Sequence, residues 1–492
     1  MIVNKSLYPI SQNLRSISQM NKQFENLQLQ LATGKRHNTL AEMGGDRVHE
    51  LSLRARLGRI EGFQANILTV ENRMSFYTNG LERLDEIEAD ARALAVPGAY
   101  GTDGINFVNS RNQATNLLME VIDILNTDIT GQYIFGGNRS DAKPVASFDE
   151  MMNGPDGFRQ FTLDRYALDG VGDADHPGGM GFGVAGETVT LTGSFADGTG
   201  IKIAGVTINS AGISRSDVAA DPAAVPQSTG AGHALSFDSQ PAVGDMITIS
   251  YTLPHSDTPV HKSFTVVAEG TDPMPADSFA LGGTAEDTAA AFAASVKAEF
   301  VTIGATDLKS ASVYKAADLF FNANGEAQAA GATEWYRGQS SANPRQAVSA
   351  NVDENTKAQY GVQANEQGFV ELIKGLAVFA VSDDMSDLDP ANARRYDALV
   401  AIQRDRLSES NNSQAGSIEL ITMELGLAAS TVNTVKQRHT QYEAQLETML
   451  ADISVAPREE VAMMLLELQI QLQASYQATS MASQLSLVNY LR

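Results

Sequence analysis

The 492-residue chain reads as mainly α with a β-rich insert: a long antiparallel helical coiled-coil bundle formed by its N- and C-terminal regions, discontinuous, with a projecting β or α+β domain between them. Three observations predict this. Apolar residues in both flanks recur in steps of three and four, the spacing that lines one side of a helix. In the middle they alternate with period two, the spacing of a half-buried strand. Composition divides the chain in the same way, because residues 141–345 hold 24 of the 41 glycines and 11 of the 15 prolines.

In the first flank, Leu14, Ile17, Met20, Phe24, Leu27 and Leu31 form one stripe that Gly34 ends. A longer stripe runs through Ile60, Ile67, Val70, Met74, Tyr77, Leu81, Leu84, Ile87 and Ala91 until Pro97 and Gly98 stop it. It predicts a single rod of about fifty residues. A third helix is expected over 106–128. In the insert, 187–195, 201–209, 245–253 and 261–268 alternate as strands, and a helix follows the start signal Thr284 to Asp287, with a second at 310–321. In the second flank, Ile418, Ile421, Leu425, Val432, Val435, His439, Tyr442, Leu446 and Met449 keep a heptad seam, and a last helix after Pro457 carries Val461, Leu465, Leu468 and Leu472. The expected partition is 1–42 with 455–492 as terminal helices, 43–143 with 346–454 as the coiled-coil domain, and 144–345 as the insert, in one or two subdomains.

With 35 basic against 59 acidic residues, a net charge of -24 argues against nucleic acid, whose phosphates need clustered Lys and Arg. The absence of cysteine removes disulfides, thiolate metal sites and cysteine nucleophiles. No apolar run approaches the length that crosses a bilayer, so no membrane insertion is expected, and the first fifteen residues lack the apolar core of a cleaved signal. Gly181 to Gly186 spells GxGxxG, but without a following helix to hold a pyrophosphate it reads as a flexible loop entering a strand. Asp383, Asp384, Asp387 and Asp389 read as a solvated helix start, and Asp173 with Asp175 as a turn. The seven histidines show no HExxH spacing, and His439 in the seam reads as a register-setting polar residue. Trp335 reads as a packing residue. With neither GxSxG nor a P-loop, the expectation is no catalytic residue, no cofactor and no metal, hence not an enzyme. The apolar side chains of the two ends fall short of the backbone entropy of ordering them, so the tails are expected to be disordered in a monomer and to order between neighbouring copies.

Leu29 to Arg36 (LQLATGKR), Asp46 and Gln64-Ala65-Asn66-Ile67 are similar to the N-terminal region of bacterial flagellins and their junction relatives, and Leu472 to Leu491 (LQASYQATSMASQLSLVNYL) resembles their C-terminal helix. Within that superfamily, Gly131 to Arg139 (GQYIFGGNR) followed by Lys143-Pro144 resembles the hook-filament junction proteins, the third hook-associated type. The resemblance implies a structural subunit of the extracellular flagellum, exported without a cleaved signal, whose end helices form an inner tube layer. It implies as partners other copies of itself, the first hook-associated protein, flagellin and a cytoplasmic export chaperone at the C-terminal helix. Leu14, Ile17, Phe24, Leu27, Leu31, Leu465, Leu468, Leu472 and Leu485 are then the expected subunit-packing positions. The alternatives are a flagellin that builds the filament itself, and a secreted stalk carrying a glycan-binding or glycan-active insert.

Overall fold

The computed structural model describes residues 8–37, 39, 41–98, 100, 107–224, 229–322, 328–382, 385 and 390–490, with side chains left aside at 8–11, 390 and 482–490. In chain order the helices are α1 (Tyr8–Thr33), α2 (Asp46–Ala93), α3 (Phe107–Leu125), α4 (Phe158–Leu168), α5 (Ala285–Ala305), α6 (Asp307–Phe320), α7 (Pro344–Ala347), α8 (Gln367–Val381), α9 (Pro390–Arg406), α10 (Ile418–Ser454) and α11 (Arg458–Tyr490). The strands are β1 (Asp128–Ile129), β2 (Gln132–Tyr133), β3 (Gly181–Ala185), β4 (Thr188–Ser194), β5 (Lys202–Asn209), β6 (Ser214–Val218), β7 (Thr229–Ser236), β8 (Met246–Leu253), β9 (Ser256–Val267), β10 (Ser278–Ala280), β11 (Ser349–Asn351) and β12 (Lys357–Gln359). The fold is thus mainly α, with long helices at both ends and a β-rich insert. The acidic stretch 383–384 and 386–389 lies outside the described residues. Among the described residues no helix is long and apolar enough to cross a membrane, and no group of three or more His, Asp or Glu could hold a metal ion.

Packing divides the chain into two units, Met1–Val70 with Ala350–Ala358 and Ser430–Arg492, and Glu71–Ser349 with Gln359–Ala429. In the first, α1 ends at Gly34, whose φ of +69° is the left-handed conformation that glycine tolerates best. Its N–H donates to the Gln30 carbonyl at 2.8 Å. The chain then runs antiparallel to the α10–α11 break. Lys35 bridges Val455, the Arg36 N–H donates to Ser454 O at 2.8 Å, and the Ala456 N–H donates to Gly34 O at 3.0 Å. Two apolar clusters follow: Ile17 with Leu468 and Leu472, flanked by Met20, Phe24 and Leu27, and Leu53 and Ile60 with Leu446, flanked by Leu57, Leu450 and Ile453.

In the second unit, Met74, Tyr77, Leu81, Leu84, Ile87 and Ala91 of α2 are all buried, as the stripe predicts. The expected third helix stops at Leu125, short of its expected end, and the Asn126 side chain pairs with the Val145 backbone at 3.0 and 3.1 Å. The GQYIFGGNR stretch is a tight corner. Its Ile134 and Phe135 are buried, Tyr77 donates its hydroxyl to Ile134 O at 2.7 Å, and a Cβ on Gly136 would sit 2.2 Å from Arg139 O. That approach requires glycine there.

The insert holds two four-stranded sheets, ordered β10-β9-β8-β5 and β3-β4-β7-β6. Their inward residues and the buried face of α5 make one core through Val189, Leu191, Ile247, Ile249, Phe264 and Phe292. The Gly181 to Gly186 stretch corrects the expected flexible loop. It is strand β3, paired antiparallel with β4 in the register Gly181↔Thr192, and Gly186 at φ +61° makes the turn between them. With a strand after it rather than a helix, it presents no N-terminus to a phosphate. Asp173 does form a turn, accepting the Asp175 and His176 N–H groups at 2.8 and 2.9 Å. Trp335 is fully buried and donates to Asn322 Oδ1 at 3.0 Å.

Helix α5 starts with a reciprocal cap, in which Thr284 Oγ1 accepts the Asp287 N–H at 3.1 Å and Asp287 Oδ2 accepts the Thr284 N–H at 3.1 Å. Thr284→Ala should therefore cost about 1 kcal/mol of stability, read as a lower urea midpoint at unchanged slope. An unchanged midpoint would show that the cap is dispensable.

Candidate functional site

The ends of the chain carry the most unusual surface. From Leu468 to Leu491 the sequence has no charged side chain, and α1 has only Arg15, Lys22 and Glu25. A solvated helix is ordinarily covered in charge, so these compositions suit helices that become enclosed.

Helices α1 and α11 pair antiparallel. Ile17, Leu468 and Leu472 are buried together, Phe24, Leu27 and Leu465 are half-buried, and Asn21 Nδ2 donates to the Tyr476 hydroxyl at 3.1 Å. At roughly 100° per residue, Val461, Leu468 and Leu472 span an arc of only about 40° of α11. Opposite them, Met463, Leu466, Ile470 and Met481 span about 60°, and these four are 61 to 67 % exposed. The helix is therefore apolar on two sides, and this chain covers one.

Of the expected packing residues, Ile17, Leu468 and Leu472 lie in the seam inside the chain, with Phe24, Leu27 and Leu465 at its margins. Leu14 and Leu31 are exposed, and the Leu485 side chain lies outside the described residues. The outward arc Met463, Leu466, Ile470 and Met481 was not read from the sequence. Its signal was available in the unbroken run Val461 to Leu466, which is too apolar all round for a helix with one wet face.

The α10 seam falls in both units. In the second, Ile418, Ile421 and Leu425 are buried; in the first, Val432, Val435, His439 and Leu446 are buried, whereas Tyr442 and Met449 are exposed. The cause at Met449 is drift. A straight helix lags a strict heptad by about 20° per repeat, so four repeats accumulate about 80°, nearly one residue's turn. The buried line accordingly passes from Leu446 to Leu450 and Ile453. Tyr442 stands at the rim, where its hydroxyl accepts from Arg56 Nη1 at 3.1 Å.

His439 has a specific partner. Its Nε2 lies 2.9 Å from Val352 O, a carbonyl that can only accept, so this nitrogen carries the proton. Phe63 stacks on the ring at 5.7 Å. The β11–β12 hairpin is clipped to the same helices by Asn66 Nδ2 donating to Asn351 O at 3.0 Å, by Arg59 with Glu354 at 2.9 Å, and by Arg438 with Asp353. The 650 Å³ groove between these residues is thus walled by arginines already engaged.

No curated protein matches the chain. Residues 5–140 match the family model for the bacterial flagellin N-terminal helical region. The N-terminal helices α1, α2 and α3 are thus similar to the helical region with which bacterial flagellins begin.

Proposed function

We propose that this chain forms the layer that joins the bacterial hook to its filament, by helix–helix packing of its two ends with neighbouring copies. The observation that carries assembly is the exposed apolar arc of α11, on a helix with no charged side chain beyond Glu467. What favours the junction over the filament is the sequence of Gly131 to Arg139 followed by Lys143-Pro144, which resembles the junction type. Its neighbours would be the first hook-associated protein on one side and flagellin on the other. Export would proceed without signal cleavage, with a chaperone shielding the outward arc of α11 in the cytoplasm and release to the extracellular flagellum afterwards.

Filament flagellin is the second reading, because the matched N-terminal region also suits a filament subunit. Copy number separates the two. Quantitative mass spectrometry of sheared appendages should find this chain at about one ring per appendage, whereas thousands of copies would make it the filament. Deleting its gene should leave hooks that release flagellin into the medium. Intact filaments on those hooks would end the junction reading.

A further inference from the structure

In the second unit a cavity of 420 Å³ opens among α2, the first turns of α8 and α10, and the loop after α9. The charged groups facing it are Glu88 of α2, Asp318 of α6, Glu371 of α8, Asp405 and Arg406 of α9, and Glu419 of α10. Several of these balance. Arg406 holds both oxygens of Asp318 at 2.6 Å, and Lys374 reaches Asp318 at 3.0 Å and Glu371 at 2.9 Å.

Glu88 does not share in that balance. It is only 7 % exposed, and its nearest cation, Arg92 Nη1, stands 3.9 Å away, beyond hydrogen-bond reach. The same nitrogen is shared with Glu409 at 3.8 Å. Among the described residues no donor hydrogen-bonds Glu88. Glu419 Oε2 is likewise closed to solvent and without a hydrogen-bond partner. Asp85, on the same helix, adds a further negative charge that Glu88 feels. Two carboxylates so placed cannot both ionise without a large desolvation and repulsion cost. A proton on Glu88 removes its share of that cost, because the neutral carboxyl is the cheaper form to bury.

We propose that Glu88 and Glu419 form a proton-held latch, which keeps the first turn of α10 closed on this cavity and loosens it when the pair is fully ionised. Glu88 is the more deeply buried of the two, so the proton resides on Glu88. Burial, and then the Glu419 charge, push the Glu88 carboxyl up to about 7 from its ordinary 4.5. The folded state therefore binds the proton more tightly than the unfolded chain does. The latch's contribution is complete below pH about 4.5, declines as pH rises towards 7, and is gone above it.

Amide hydrogen exchange on the full-length chain tests this directly. Corrected for intrinsic rates, protection over 418–422 should fall about tenfold between pH 5.5 and pH 8, as befits a group whose ionisation is worth more than one unit. Equal protection at the two pH values overturns the proposal, and this measurement needs no variant. In Glu88→Gln, whose amide can always donate, protection should be independent of pH, and retention of the wild-type dependence would equally overturn it. Glu419→Gln gives an independent check, since removing that charge should shrink the pH dependence without abolishing it, and an unchanged profile would overturn the pairing.

Discussion

Ile470→Asp should abolish polymerisation while leaving the soluble subunit as stable as before. Ile470 sits at the middle of the outward arc and is largely exposed in the single chain, so a carboxylate there costs the isolated fold little. In an assembly that encloses the arc, the variant forfeits about 2 kcal/mol of apolar burial and adds the cost of burying an unpaired charge. A combined penalty above about 3 kcal/mol raises the critical concentration by more than about 100-fold. Light scattering gives the polymerisation threshold, and a urea titration of the dilute subunit gives the stability. The control is Ile17→Asp, which strikes the inner seam and should loosen α1 from α11. If Ile470→Asp assembles at the wild-type concentration, the outward arc is not the contact surface.

Phe292→Ala should cost the insert about 3 to 5 kcal/mol. The ring is completely buried on α5 and meets Phe279 at 5.0 Å, Phe237 at 5.8 Å and Phe264 at 6.0 Å, two of the three edge to face. Its removal leaves a hole bordered by both a helix and a sheet, elements that cannot close in without dragging their hydrogen-bonded neighbours. At a urea slope of about 1 to 3 kcal/mol per molar, the midpoint should move down by at least about 1 M. Polymerisation measured well below that midpoint should be unchanged. A shift under a few tenths of a molar would mean that the aromatic cluster repacks around the gap.

What could be read in advance followed one rule: a segment was legible when exactly one of its faces met solvent. Helix α2 announced itself because Met74, Tyr77, Leu81 and Leu84 keep to one side. Strand β8 did so through the alternation of Ile247, Ile249 and Tyr251. Helix α8 has nearly all its residues from Phe369 to Val381 buried, so it has no stripe for periodicity to find. Strand β7 was missed for the opposite reason. It lies between β4 and β6, and a Cβ on Gly232 would fall 1.9 Å from Leu191 O, so close strand approach demands the residue that local propensity reads as a turn. The packing residues at the ends show the same logic. Periodicity found the inner seam and, by construction, passed over Leu466 and Ile470 on the other side.

The clasp at Lys35 and Val455 joins positions 420 residues apart, and this imposes an order of events on a ribosome. Translation at about 5 to 20 residues per second leaves α1 without its mate for roughly 20 to 80 seconds after it emerges. Throughout that interval the inner stripe of Ile17, Met20, Phe24 and Leu27 is bare of the partners it has on α11. Pairing of α1 with α11 therefore waits until α11 has been made, and any cellular factor that must grip this polypeptide while it is still unclasped has its window then.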